Sequence, residues 1–282
     1  MTLRKQILVC ASVLTFSFPL FSQPMRIGGS DTLIYLGQRF VEQYRAKHPS
    51  AQFAVRGGGT AANADELDIV QIEGSRAVGK RVAFPIGIHG IVIYVNKTNS
   101  IRELSLAQVR SIFLGQITNW KELGGPDRRI NLFAGESTTG TLAFFQESVL
   151  HGEEPYPFEG KNNTHALLEV IAADANAIGY GTLDANPGVR ALSIKSGLTS
   201  LAVEPTISSI RSREYPITRE VYWAVSPNAP RETKEFCAWV LSSDGQLVVE
   251  GAGFEPLLPQ DRSAGLTRLG LKEIPAAVAA AH

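Results

Sequence analysis

One construction occurs three times in this chain and constrains its fold more than any other feature. A short apolar stretch runs into glycine and hydroxyl residues, and a helical pattern begins at once. The fullest copy is Gly135-Glu136-Ser137-Thr138-Thr139-Gly140-Thr141, followed by residues 142–150, where Leu142, Phe145 and Val149 recur at helical spacing. A helix start leaves backbone N–H groups unpaired and carries roughly half a positive charge. Ser and Thr hydroxyls add donors, and glycine lets a ligand approach the backbone closely. Together they suit a small oxyanion. Taken alone, the stretch reads more readily as an ordinary N-cap; repetition shifts the reading toward a ligand.

The first copy is Gly28-Gly29-Ser30-Asp31-Thr32-Leu33, after the apolar residues 25–29. Leu33, Leu36, Phe40, Val41 and Tyr44 then share one helical face, and Pro49 closes the helix. The second copy follows a strand at 52–56: Gly57-Gly58-Gly59-Thr60-Ala61. It lacks the lysine of a nucleotide P-loop, and no dinucleotide Gly-x-Gly-x-x-Gly pattern is present. A third short strand, 68–72, ends at Glu73-Gly74-Ser75-Arg76, where Arg76 is either a surface charge or an anion clamp. Strand, glycine turn and helix start form the α/β unit in which anions bind at the carboxyl ends of strands.

The chain has 282 residues, long enough for two modest lobes, with 27 basic and 27 acidic residues. That balance gives no argument for nucleic acid or an anionic membrane surface. Residues 1–22 read as a secretory signal: Arg4 and Lys5, an apolar run over 7–18, then Pro19 to Ser22. Its removal leaves an excess of two acidic residues. Cys10 lies inside that segment, so Cys237 has no intramolecular partner and, beside Phe236, Trp239 and Val240, reads as a buried apolar thiol. The five histidines are scattered, without metal-ligand spacing, and no metal or cofactor is expected.

Further along, residues 82–85 and 90–96 are β-rich, the second a near-continuous apolar run. Ser105 and Gln108 form a capping box for a helix carrying Leu106, Val109, Ile112 and Phe113, with Gly115 as its stop. Residues 118–127 make a turn-rich corner, and 129–133 alternate as a strand. Helices are expected at 165–175 and 231–243, strands at 177–181, 189–194 and 221–225. The two apolar strands near 90–96 and 219–225 would carry the chain between lobes. That gives a discontinuous first lobe of 23–93 and 220–259, a second lobe of 94–219, and a loosely attached tail at 260–282.

These residues carry a likeness. Gly29-Ser-Asp-Thr-Leu33, Gly57-Gly-Gly-Thr-Ala61, Gly74-Ser75-Arg76, the run 90–96, Thr139-Gly140-Thr141, Ala177-Ile-Gly-Tyr180 and the run 236–246 match in order. The most diagnostic piece is Phe113-Leu-Gly-Gln-Ile-Thr-Asn-Trp120-Lys-Glu-Leu-Gly-Gly-Pro-Asp127. Over about residues 26–258 the chain resembles PstS-type phosphate-binding proteins, the periplasmic receptors of phosphate ABC transporters. The resemblance implies a two-lobed α/β fold of the periplasmic-binding-protein type II kind, with mixed sheets, helices on both faces, hinge strands between lobes and no catalysis. It also implies a ligand shell of Ser30, Asp31, Thr32, Leu33, Gly59, Thr60, Ser75, Arg76, Ser137, Thr139, Gly140 and Thr141. Its partners would be phosphate or a similar oxyanion and a membrane permease; the protein would be a periplasmic monomer. The family has an arginine where Gly135 stands, and its loss removes a charge-assisted contact of roughly 1.5–3 kcal/mol. Arg76 or Arg56 is the candidate replacement.

Two rivals stand beside phosphate capture. A secreted phosphatase needs an activated nucleophile or metals, and neither a Gly-x-Ser-x-Gly elbow nor a clustered Asp/His set occurs. A sensor or interaction protein, or a receptor for sulfate or molybdate, would fit the altered residues 135–139. Phosphate keeps a proton near neutral pH, so a carboxylate acceptor would select it over sulfate; Asp31 is the first candidate and Glu136 the second.

Overall fold

The computed structural model describes residues 23–30, 33–57, 64–73, 78–135, 139–197 and 199–272. In chain order the elements are β1 (Met25–Gly29), α1 (Ile34–Lys47), β2 (Phe53–Arg56), β3 (Ile69–Glu73), β4 (Val82–Gly90), β5 (Val92–Asn96), β6 (Glu103–Ser105), α2 (Leu106–Phe113), β7 (Asn131–Gly135) and α3 (Thr139–Ser148). They continue as β8 (Glu159–Lys161), α4 (Thr164–Ala173), β9 (Ala177–Gly181), β10 (Val189–Ala191), β11 (Ser193–Lys195), α5 (Ile207–Arg211), β12 (Thr218–Val225), α6 (Arg231–Val240), α7 (Ser243–Gly251) and α8 (Pro259–Arg268).

The strands build two five-stranded sheets, ordered β2-β1-β3-β12-β4 and β10-β5-β9-β7-β8. In the first, β1 runs parallel to β2 and β3, while β12 is antiparallel to both β3 and β4. In the second, β7 runs parallel to β8 and β9, and β5 is antiparallel to β9. The chain leaves the first sheet at Gly90 and enters the second at Val92; it returns before Thr218. The two passages are tied together, because the Ile91 N–H donates to the Ile217 carbonyl at 2.9 Å.

Apolar periodicity becomes packing as expected. Leu36, Phe40, Val41 and Tyr44 of α1 are buried, and Phe40 meets Trp223 of β12 edge-on with ring centroids 5.3 Å apart. Val109, Ile112 and Phe113 of α2 are buried behind a complete Ser105–Gln108 capping box. Phe145 of α3 stacks on Tyr180 of β9 at 3.9 Å. The 118–127 corner is held from within. Asn119 caps the turn of 3-10 helix Trp120–Leu123; the Trp120 indole N–H donates to the Asn176 carbonyl at 3.0 Å. Cys237 is a free, fully buried thiol, and burial raises its pKa.

The structure corrects the reading of the C-terminal stretch. Its first part is not loosely attached: residues 259–268 form α8, and Leu266 and Leu269 are buried. A Cβ placed on Gly265 would lie 2.9 Å from Leu241, so that glycine lets α8 approach closely. The polar composition of α8 hid this, since only one narrow stripe of it faces the core. The signal segment 1–22 and residues 273–282 lie outside the described residues.

Candidate oxyanion site

The first half of the site grows from the carboxyl end of β1. Gly29 has φ +125°, a conformation that favours glycine, and a Cβ there would come within 2.4 Å of the Gln71 carbonyl oxygen. That close approach lets the Ser30 N–H donate to Gln71 across the strand gap at 3.0 Å. The Leu33 N–H then donates to the Ser30 carbonyl at 3.1 Å, closing the turn that starts α1. Ser30 and Leu33 are both buried. Leu33 occupies the cap position of α1 and makes no side-chain cap hydrogen bond. By contrast α2, α4, α5 and α7 are capped by Ser105, Asn163, Thr206 and Ser242. The cap positions of α6 and α8, Pro230 and Leu258, likewise make no side-chain cap hydrogen bond.

The second half grows from the carboxyl end of β7. β7 ends at Gly135 and α3 begins at Thr139. Thr141, in the first turn of α3, is buried at 5% exposure. The two halves therefore share one plan: a parallel strand ends and, a few residues later, a helix starts at the carboxyl edge of its sheet.

Of the expected ligand shell, the structure describes Ser30, Leu33 and Thr141, and places the first two in one turn. Asp31, Thr32, Gly59, Thr60, Ser75, Arg76 and Ser137 lie outside the described residues, as does Glu136. Thr139 and Gly140 open α3.

What links the halves is a cluster that the sequence reading did not single out. His89 of β4 stands opposite Arg219 of β12. The Arg219 guanidinium lies 4.0 Å over the Phe144 ring of α3 and reaches a Glu147 carboxylate oxygen at 3.9 Å. His89 packs between Phe144 and Phe254, with ring centroids 5.2 and 4.8 Å away. Burial, with the Arg219 charge second, lowers the His89 pKa to about 3. A histidine beside Gly90 and an arginine just before the apolar run 221–225 were the available signals. Among the described residues, no group of three His, Cys, Asp or Glu side chains is placed to hold a metal ion.

Comparison with known proteins identifies the family. A family model described as a PBP superfamily domain matches residues 22–244. The phosphate-binding protein PstS of Bacillus subtilis is 28% identical over 250 aligned positions, covering 84% of this chain and 81% of that protein. PstS of Pseudomonas aeruginosa is 26% identical, covering 86% of each. The crystal structure of an ABC-type phosphate transport receptor from Vibrio cholerae superposes with a TM-score of 0.69 at 24% identity, covering 83% of this chain and 100% of that one.

Proposed function

The chain belongs to the PBP superfamily, and from that premise we propose that it captures phosphate between two lobes and delivers it to an ABC transporter. The single observation that carries this reading is that a parallel strand leads into a helix at the edge of each sheet, β1 into α1 and β7 into α3. At the first, Ser30 and Leu33 are buried; at the second, Thr141 is buried. The relatives named above support it, being phosphate-binding proteins by name.

In this account the first sheet and the second sheet are the two lobes, with strand passages near Ile91 and Ile217 as the hinge. Backbone N–H groups of Thr32, Leu33 and Thr141 meet the phosphate oxygens. Hydroxyls of Ser30, Thr32, Thr60, Ser75, Ser137, Thr139 and Thr141 add donors, the Gly59 and Gly140 backbones allow close approach, and Arg76 brings formal charge. Asp31 accepts the phosphate proton. The ligand binds both lobes at once, so it favours the closed form by its differential affinity. The closed form is the one that docks on the permease. The relatives are phosphate-binding proteins by name, and we assign no catalytic step. Residues 1–22 direct export to the periplasm, where the protein acts as a monomer.

Calorimetry of the chain without residues 1–22 tests this against phosphate, arsenate, sulfate and molybdate. One-to-one binding is expected, with phosphate and arsenate ahead of sulfate. Thr139→Ala and Arg76→Ala each weaken it. A folded protein that binds none of the four ions contradicts the assignment; if both variants bind like the parent, the site is elsewhere.

A further inference from the structure

Resting on the phosphate-capture reading, we infer that Arg219 is a positioning residue for the bound oxyanion: it fastens the α3 half of the site to the first sheet and sets a fixed positive charge behind it. The placement follows from strand register. β3 ends at Glu73, which pairs with Val221 of antiparallel β12. Arg219 therefore lies two residues beyond the carboxyl end of β3, at the edge of the first sheet where ligands of such folds bind. Strand alternation puts Arg219 on the same face as Val221 and Trp223. Trp223 packs on Phe40 of α1, so this is the face that α1 covers.

From that edge the Arg219 side chain reaches the other sheet's helix. Its guanidinium carbon lies 4.0 Å from the Phe144 ring centroid, and the side chain is 10% exposed. Phe144 stands one turn after Thr141 on α3 and is itself buried, as Thr141 is. A guanidinium stacks on a ring more strongly when both are desolvated, and a charge shielded from water acts further than an exposed one. His89, opposite Arg219, stays neutral near pH 7 and brings no second cation. Among the described residues Glu147 is a carboxylate that reaches the guanidinium, loosely at 3.9 Å, with its own side chain half exposed.

The test uses the exported chain and inorganic phosphate, read by calorimetry. Arg219→Met keeps a stem of similar reach over Phe144 but no charge; phosphate binding is expected to weaken at least tenfold. Arg219→Lys keeps the charge and is expected to hold affinity within about fivefold of the parent. Glu147→Gln removes the carboxylate that competes for the cation and is expected to tighten binding about twofold to fivefold. A purely structural role for Arg219 would not produce that gain. Arg219→Met binding within twofold of the parent overturns the inference. If Arg219→Met does not fold, Glu147→Gln decides alone: unchanged or weaker affinity overturns it. A parent protein that binds no phosphate is a different result, and removes the functional reading itself.

Discussion

His89 and Arg219 face each other across the β4–β12 ladder at the point where the chain passes between its two sheets. Both sit under Phe144 of α3. Burial first, and the Arg219 charge second, hold His89 neutral down to a pKa of about 3. Its buried Nδ1 has no hydrogen-bond partner among the described residues. In the unfolded chain the same group titrates near 6.5. The folded pKa is thus the lower one, so the unfolded state binds the extra proton. The stability linked to His89 is fully present above about pH 6.5, shrinks as the pH falls below it, and is gone by about pH 3. His89→Gln should flatten the loss of denaturation midpoint between pH 7 and pH 4. A variant whose pH profile parallels that of the parent would show that His89 is not the group responsible.

Gly29 has no room for a side chain. Its φ is +125° and a Cβ would stand 2.4 Å from a backbone oxygen of Gln71, which cannot swing aside as a side-chain tip could. Gly29→Ala should cost at least about 2 kcal/mol of stability from backbone strain alone, and should also disturb the Ser30 turn. Thermal unfolding gives the first effect and phosphate titration the second. Parent-like values for both would mean that the turn does not need glycine.

Leu266 tests whether α8 is part of the fold. It is buried beside Leu269, and neighbouring Gly265 meets Leu241. Leu266→Ala is expected to lower stability by roughly 2–4 kcal/mol, read as a shift in urea midpoint. A loosely attached tail would give about 0.5 kcal/mol or less.

Cys237 should be inert to thiol reagents in the native protein and react fully once unfolded. It is completely buried, and burial raises its pKa, so little thiolate is available or reachable. Rapid labelling under native conditions would contradict this placement.

Much of the architecture was legible because local rules and tertiary packing agree here. The α1 stripe, the Ser105–Gln108 box, the 118–127 corner and the buried Cys237 each follow from spacing or capping chemistry and appear as read. Phe144 was missed because α3 buries two adjacent aromatic residues in different directions. Phe145 stacks on Tyr180 within its own sheet's core, while Phe144 turns to Arg219 and His89. A single helical stripe cannot express two interfaces. For the same reason Arg219 was not singled out: Phe144 and Glu147, which it approaches, are 72 to 75 residues earlier in the chain, a separation no local pattern encodes. α8 was underrated because its buried stripe is narrow and its other faces are polar.

In the proposed function one oxyanion is held at once by the start of α1 on the first sheet and the start of α3 on the second. A crystal structure of the chain grown with phosphate tests it most directly. The account predicts a single tetrahedral ion with oxygens within hydrogen-bond distance of the backbone N–H groups of both Leu33 and Thr141. An ion bound to one turn only, or none at either under saturating phosphate, would contradict it.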